Sequence, residues 1–269
     1  MAQIPASTPG TVTKPPPRVS PSLWIGLGVV VVYATIFTAT AASSGIPYTE
    51  WFSSAPNVWR TAVLPLALGA VFLIGFLAWA RWDGVFRDHN RLTGPRILHI
   101  AAAVFVAAIV VHLVFVDWAG LDPAIVAPIL ITGVLVGFCE ETLFRGILLR
   151  GTRTKGRSEA TAAIVTSIAF GLFHLTNIIT GSPLLAVLNQ VLLATLSGII
   201  LYSFRRISGL LVVSMFAHGL WDTSLFLPAG DSTTVSGVAG LALLVIVPAV
   251  GLITLIVVGR RERHTPALT

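Results

Sequence analysis

"VLVGFCEETLFRGILL", residues 134–149, decides the fold. Without Glu140, Glu141 and Arg145 it reads as bilayer-spanning helix. Charges inside the hydrocarbon layer are expensive. Where they persist they face a bundle interior or a water-filled cavity, and they mark function. The stretch therefore calls for other helices around it and for a role that justifies its three charges.

The rest of the chain supplies those helices. Of 269 residues, 55% are hydrophobic and 10% charged, with a mean hydropathy of +0.89. Soluble domains are about a quarter charged, so composition alone indicates a membrane protein. A span needs about 20 apolar residues. Eight stretches qualify: 22–43, 60–80, 97–116, 124–148, 160–180, 183–203, 207–226 and 236–259. The expected fold is all-α, a polytopic bundle of about eight transmembrane helices. Residues 1–21 are polar and proline-rich, with no cleavable signal, and read as a disordered cytoplasmic tail. Residues 22–123 then carry the first helices, 124–226 the helices with polar groups, and 227–269 the last helix and a cytoplasmic tail. Trp51, Trp59, Trp79, Trp82 and Trp118 stand near span ends and read as interfacial anchors.

The formal charge is +6, but it does not point to nucleic acid, because the positive residues fall in alternate short connections. Lys14 and Arg18 precede the first span. Arg81, Arg87, Arg91 and Arg96 follow the second. Arg150, Arg153, Lys155 and Arg157 follow the fourth, Arg205 and Arg206 the sixth, and Arg260, Arg261 and Arg263 the last. The opposite connections hold only Arg60. Both termini are accordingly expected in the cytoplasm of a multi-pass cell-membrane protein. Cys139 is the single cysteine, which rules out an intrachain disulfide and a Cys-based zinc site; it reads as a packing residue.

Depth brings separate helices together. Counted from the arginine-rich ends, Glu140 lies about 15 Å in, His174 about 21 Å and His218 about 16 Å. All three are near mid-membrane, toward the cytoplasmic side. Residues four apart share a helix face. Glu141 and Arg145 do so, with the acid first, and read as an ion pair that braces the helix. Glu140 is on another face and is left for chemistry, as a general base toward water. "AFGLFHLTN" puts Phe170 and His174 on one face with Asn177 a turn beyond. "FAHGLWD" puts His218 and Asp222 together, where Asp222 either orients His218 or takes part itself. Two imidazoles and a carboxylate around one water make a hydrolytic site. His112 reads as a helix–helix hydrogen bonder, Asn189 and Gln190 as interhelical glue or cavity lining, and His89, His99 and His264 as uninformative.

"EETLFR" (140–145), "FGLFH" (170–174) and "HGLWD" (218–222) resemble the CPBP family of CAAX prenyl proteases and bacteriocin-processing enzymes, also called Abi, whose pattern is EExxxR, FxxxH, then HxxxN or HxxxD. The resemblance spans about residues 124–226. It implies an intramembrane glutamic endopeptidase that needs no metal or other cofactor. Glu140 would activate water, His174 would help to position it, and His218 would match the third-motif histidine. Asp222 stands where the eukaryotic prenyl proteases have Asn, which with His forms the oxyanion site. An ionised Asp222 cannot donate to an oxyanion, so it must carry a proton or orient His218. The implied partners are the bilayer and a membrane-associated peptide or protein reached from the cytoplasmic side. Three other classes stay open. One is a metalloprotease using Glu140, His174, His218 and Asp222, although no HExxH is present. The second is a non-catalytic scaffold or immunity protein. The third is a transporter, against which stands the absence of an internal repeat.

Overall fold

Helix starts follow capping chemistry. In a computed structural model that describes residues 16–88, 91, 95–154, 156–228 and 234–263, Ser22 accepts from the Ile25 amide and opens α1 (Leu23–Ser43). Asp122 accepts from the Ala124 amide and opens α4 (Pro123–Thr152). Ser158 accepts from Thr161 and opens α5 (Glu159–Ile178). Each side chain satisfies an amide that the helix leaves orphaned. The other helices are α2 (Ala55–Ala80), α3 (Arg96–Val114), α6 (Leu184–Ser208), α7 (Leu211–Phe226) and α8 (Thr234–Arg261). The expected tail at residues 1–15, His89 and His264 lie outside the described residues.

The expected polytopic bundle is what the chain forms. Among the described residues, seven helices are long and apolar enough to cross a bilayer. The eighth, α7, has 16 residues, about 24 Å at 1.5 Å per residue. It starts four residues later than its apolar run suggests. Gly209, at φ +73°, ends α6 in the left-handed region, and Leu210 is extended. α2 instead begins five residues early, because Pro56 sits comfortably in its first turn.

The most extensive helix pairings are α4 with α7 and α5 with α6. A wall of α1 and α2 packs on α4, and α8 covers α3 and α6. Residues 16–22 run across the end of α2, where the Arg18 amide donates to Ala80 and the Trp82 indole to the Val19 carbonyl. Trp82 and Trp51 are therefore buried packing residues rather than interfacial anchors. Trp59, Trp79 and Trp118 are exposed, as anchoring requires.

On the arginine-rich face several cations turn inward. Asp88, in the connection between α2 and α3, receives Arg153 Nη1 at 2.6 Å and Arg205 Nη2 at 2.8 Å. Glu159 receives Arg153 Nη2 at 2.6 Å and the Tyr202 hydroxyl at 2.8 Å. Arg205 also donates to the carbonyls of Val85 and Arg145. Asp88, Glu159, Arg153 and Arg205 each have a partner of opposite sign, the condition under which burial is tolerated.

Candidate active site

Small residues bring α4 against α7. A Cβ placed on Gly219 would lie 2.5 Å from the Gly133 carbonyl oxygen, and one on Gly137 would collide with the Met215 carbonyl. The two helices thus meet backbone to backbone, as membrane helices do where glycine allows it. That approach carries His218 onto the two glutamates.

Within α4 the backbone widens into a π-helical turn over Thr142–Leu148. The expected Glu141–Arg145 pair forms there, Nη1 to Oε1 at 2.7 Å, with both side chains fully buried. Arg145 Nη2 donates to the Gly198 carbonyl at 3.2 Å, and the guanidinium lies 4.2 Å from the centre of the Phe170 ring. Glu141 does more than brace. Its Oε1 also accepts from His218 Nδ1 at 2.8 Å, and its Oε2 accepts from the Ser214 hydroxyl at 2.5 Å. A carboxylate can only accept, so Nδ1 of His218 carries the proton and Nε2 points onward.

Nε2 meets two more carboxylates, Glu140 Oε2 at 4.0 Å and Asp222 Oδ2 at 3.8 Å. Asp222 therefore lies at the outer nitrogen. Glu141 holds His218 at the other nitrogen, Nδ1, so carboxylates flank the imidazole on both sides. Glu140 is 8% exposed and its Oε2 has no hydrogen-bond partner. It faces a cavity of about 460 Å³ that is also lined by Phe170, His174, Asn177, His218 and Asp222.

His174 donates from Nδ1 to the Phe170 carbonyl at 3.0 Å, because a carbonyl oxygen only accepts. Nε2 of a neutral His174 is consequently an acceptor. The Phe170 ring stands edge-on to both imidazoles, at 5.1 Å from His174 and 5.4 Å from His218. Asn177 donates to Gln190 Oε1 at 2.9 Å. Gln190 thereby ties α5 to α6, and with Asn189 it also lines the cavity. His112 bonds across helices as expected, to Ser224 at 3.3 Å. Cys139 is buried and donates to the Leu66 carbonyl.

Two things differ from the expectation. The lining runs from Glu140 and His218 toward Tyr48, Trp51, Asn177, Asn189 and Phe226. Those residues stand at the arginine-poor ends of the helices, so the cavity extends away from the side expected for substrate approach. On that side Arg145, Ile147, Leu148 and Arg205 are buried. Ser214 was the unforeseen member of the site. It lies four residues before His218, on the same face of α7, and that spacing is the signal that could have found it. Among the described residues, no group of three or more His, Cys, Asp or Glu side chains is arranged to hold a metal ion.

Residues 122–224 match a family described as type II CAAX prenyl endopeptidase Rce1-like. No curated protein and no solved structure matches the chain. The matched segment opens at the N-cap of α4 and closes within α7, taking in all three motifs. Over that segment the chain, a multi-pass membrane protein, is similar to the CAAX protease (CPBP) family.

Proposed function

We propose that the protein is an intramembrane endopeptidase that hydrolyses a peptide bond of a membrane-associated peptide or protein with water activated by Glu140. The observation that carries this is the Glu140 Oε2 atom, buried, unpartnered and facing the cavity beside His218 Nε2. A carboxylate in that position can take a proton from water. The acceptor Nε2 of His174 helps to hold the water. The hydroxide attacks the peptide carbonyl, and the oxyanion accepts a hydrogen bond from Nε2–H of protonated His218, which Glu141 holds from the other side. The proton on Glu140 then passes to the leaving amine and the C–N bond breaks. Asp222 serves as a second carboxylate at the same imidazole nitrogen.

The test is cleavage of membrane-partitioning peptide libraries by the purified chain in lipid nanodiscs. Glu140→Gln should fold and lose roughly 10²- to 10⁴-fold in rate, the usual contribution of a general base. Undiminished cleavage by that variant would refute the mechanism.

A further inference from the structure

Arg205 reads in sequence as a loop cation, but it is 1% exposed, and each of the five N–H donors of its guanidinium has an acceptor. Nε donates to Asp88 Oδ2 at 3.2 Å and Nη2 to Asp88 Oδ1 at 2.8 Å. Nη2 also donates to the Gly84 carbonyl at 3.0 Å, and Nη1 to the carbonyls of Val85 and Arg145. The bonds to Gly84, Val85 and Asp88 fix the connection between α2 and α3. The bond to Arg145 reaches into the π-helical turn of α4. The connection touches that turn a second time. A Cβ on Gly146 would lie 2.9 Å from the Val85 side chain, so Val85 packs directly on the residue after Arg145.

The same connection holds the start of α7. The Leu211 amide donates to the Phe86 carbonyl at 3.0 Å, and the Asp88 amide to the Gly209 carbonyl at 2.9 Å. Ser214 and His218 follow on that helix within two turns. α4 and α7 are therefore joined at two levels. At the site they are joined through Glu141, which accepts from Arg145, Ser214 and His218. At the arginine-rich end they are joined through residues 84–88, gathered on one guanidinium.

The geometry points to Arg205 as a positioning residue for the hydrolytic site: through the Arg145 carbonyl and the 84–88 connection it sets the π-helical turn and the start of α7, and with them the distance at which Glu141 holds His218. This rests on the endopeptidase reading. A π-turn inside an α-helix is a rare backbone form that recurs at functional sites. Here a side chain from another helix donates to its backbone. Lysine cannot take that place. An ammonium offers three donors from one point, whereas a guanidinium offers five in a rigid fork. Lysine at position 205 keeps the charge opposite Asp88 but cannot span Gly84, Val85 and Arg145 as well. The turn then loses its outside donor, Arg145 shifts, and the bond between Glu141 and His218 lengthens. A misplacement of about 1 Å can cost about 10²-fold in rate.

The experiment compares wild type, Arg205→Lys and Val85→Ala in nanodiscs, each well below its melting temperature. kcat and KM are measured on peptides that the library shows to be cleaved. The Nδ1–H resonance of His218 is followed by NMR on chain carrying isotope-labelled histidine, and is assigned by its absence from His218→Gln. That resonance moves with the length of the bond to Glu141. Arg205→Lys should lower kcat by about 10- to 100-fold, keep KM within about twofold of wild type, and shift the resonance. Val85→Ala leaves the bonds of Arg205 in place and removes only the packing on Gly146. It should move kcat and the resonance the same way by less, and it carries the test if Arg205→Lys does not fold. A purely structural Arg205 would lower the melting temperature and leave kcat and the resonance of the folded chain unchanged. That result would overturn the proposal and leave the endopeptidase reading standing. A fall in kcat with an unmoved resonance would overturn it too, because the route through His218 would be absent. A shifted resonance in variants of a chain whose wild type cleaves nothing would overturn the endopeptidase reading and leave the positioning.

Discussion

Glu140 and Glu141 are neighbours with opposite fates, and the difference is about 100° of helix rotation. Glu141 points inward and holds three donors from Arg145, His218 and Ser214. Glu140 points into the cavity and keeps Oε2 unpartnered. The two should respond differently to the same change. Glu140→Gln removes the base, keeps the shape and leaves thermal stability near wild type. Glu141→Gln leaves Arg145 buried without its counter-charge, which should lower stability by about 3–5 kcal/mol. Thermal unfolding of the two variants side by side measures this. Equal loss in both would mean that Glu141 is not the structural partner.

At the level of elements, the site depends on the distance between α4 and α7. Gly219→Ala puts a methyl group against the Gly133 carbonyl. Overpacking of this kind typically costs about 1–3 kcal/mol, and here it must be relieved by separating the helices that carry Glu141 and His218. Gly219→Ala should therefore lose activity well beyond its loss of stability, read as kcat/KM against melting temperature. Proportional losses would argue against the coupling. On the arginine-rich face, burial raises the Asp88 carboxyl pKa, but the hydrogen bonds and charges of Arg153 and Arg205 outweigh it and hold the group well below the ordinary carboxylate range. A carboxyl of lowered pKa in the folded state contributes stability above its unfolded value of about 3.9, and loses it as pH falls toward the folded value. The melting temperature should be insensitive to this group from about pH 5 to 8 and fall in acid below about pH 4. Asp88→Asn should lower the plateau and flatten that acid limb. An unchanged acid limb would remove Asp88 from the account.

For the whole molecule, the arginine-rich and arginine-poor faces set the direction in the membrane. Lys and Arg favour the cytoplasmic side, so the arginine-rich ends of the helices are expected there and the ends that carry the cavity lining on the other side. Single cysteines introduced at Glu50 and at Arg87, in a Cys139→Ala background, should label from opposite sides of intact cells. An impermeant maleimide added outside should reach position 50 and spare position 87. The reverse pattern would turn the molecule over and return the cavity to the cytoplasm.

Much of this was legible in the chain because membrane helices report themselves locally. Apolar length gives the spans, the i, i+4 spacing gives Glu141 with Arg145, and the isolation of Glu140 follows from its one-residue offset. The alternation of arginines needs only a count. What the sequence could not give is everything that depends on how two helices approach each other. The third bond of Glu141, made to His218, crosses from α4 to α7. Ser214 joins the site only because Gly133, Gly137 and Gly219 let those backbones touch. Arg153 and Arg205 count as loop cations in sequence, yet fold inward onto Asp88. The direction of the cavity depends on which residues line it, and Ile147, Leu148 and Arg205 on the arginine-rich side are buried and do not. Spacing along a helix is fixed by 3.6 residues per turn. Contact between helices is fixed by shape and by the pairing of buried charge, which only the packed bundle decides.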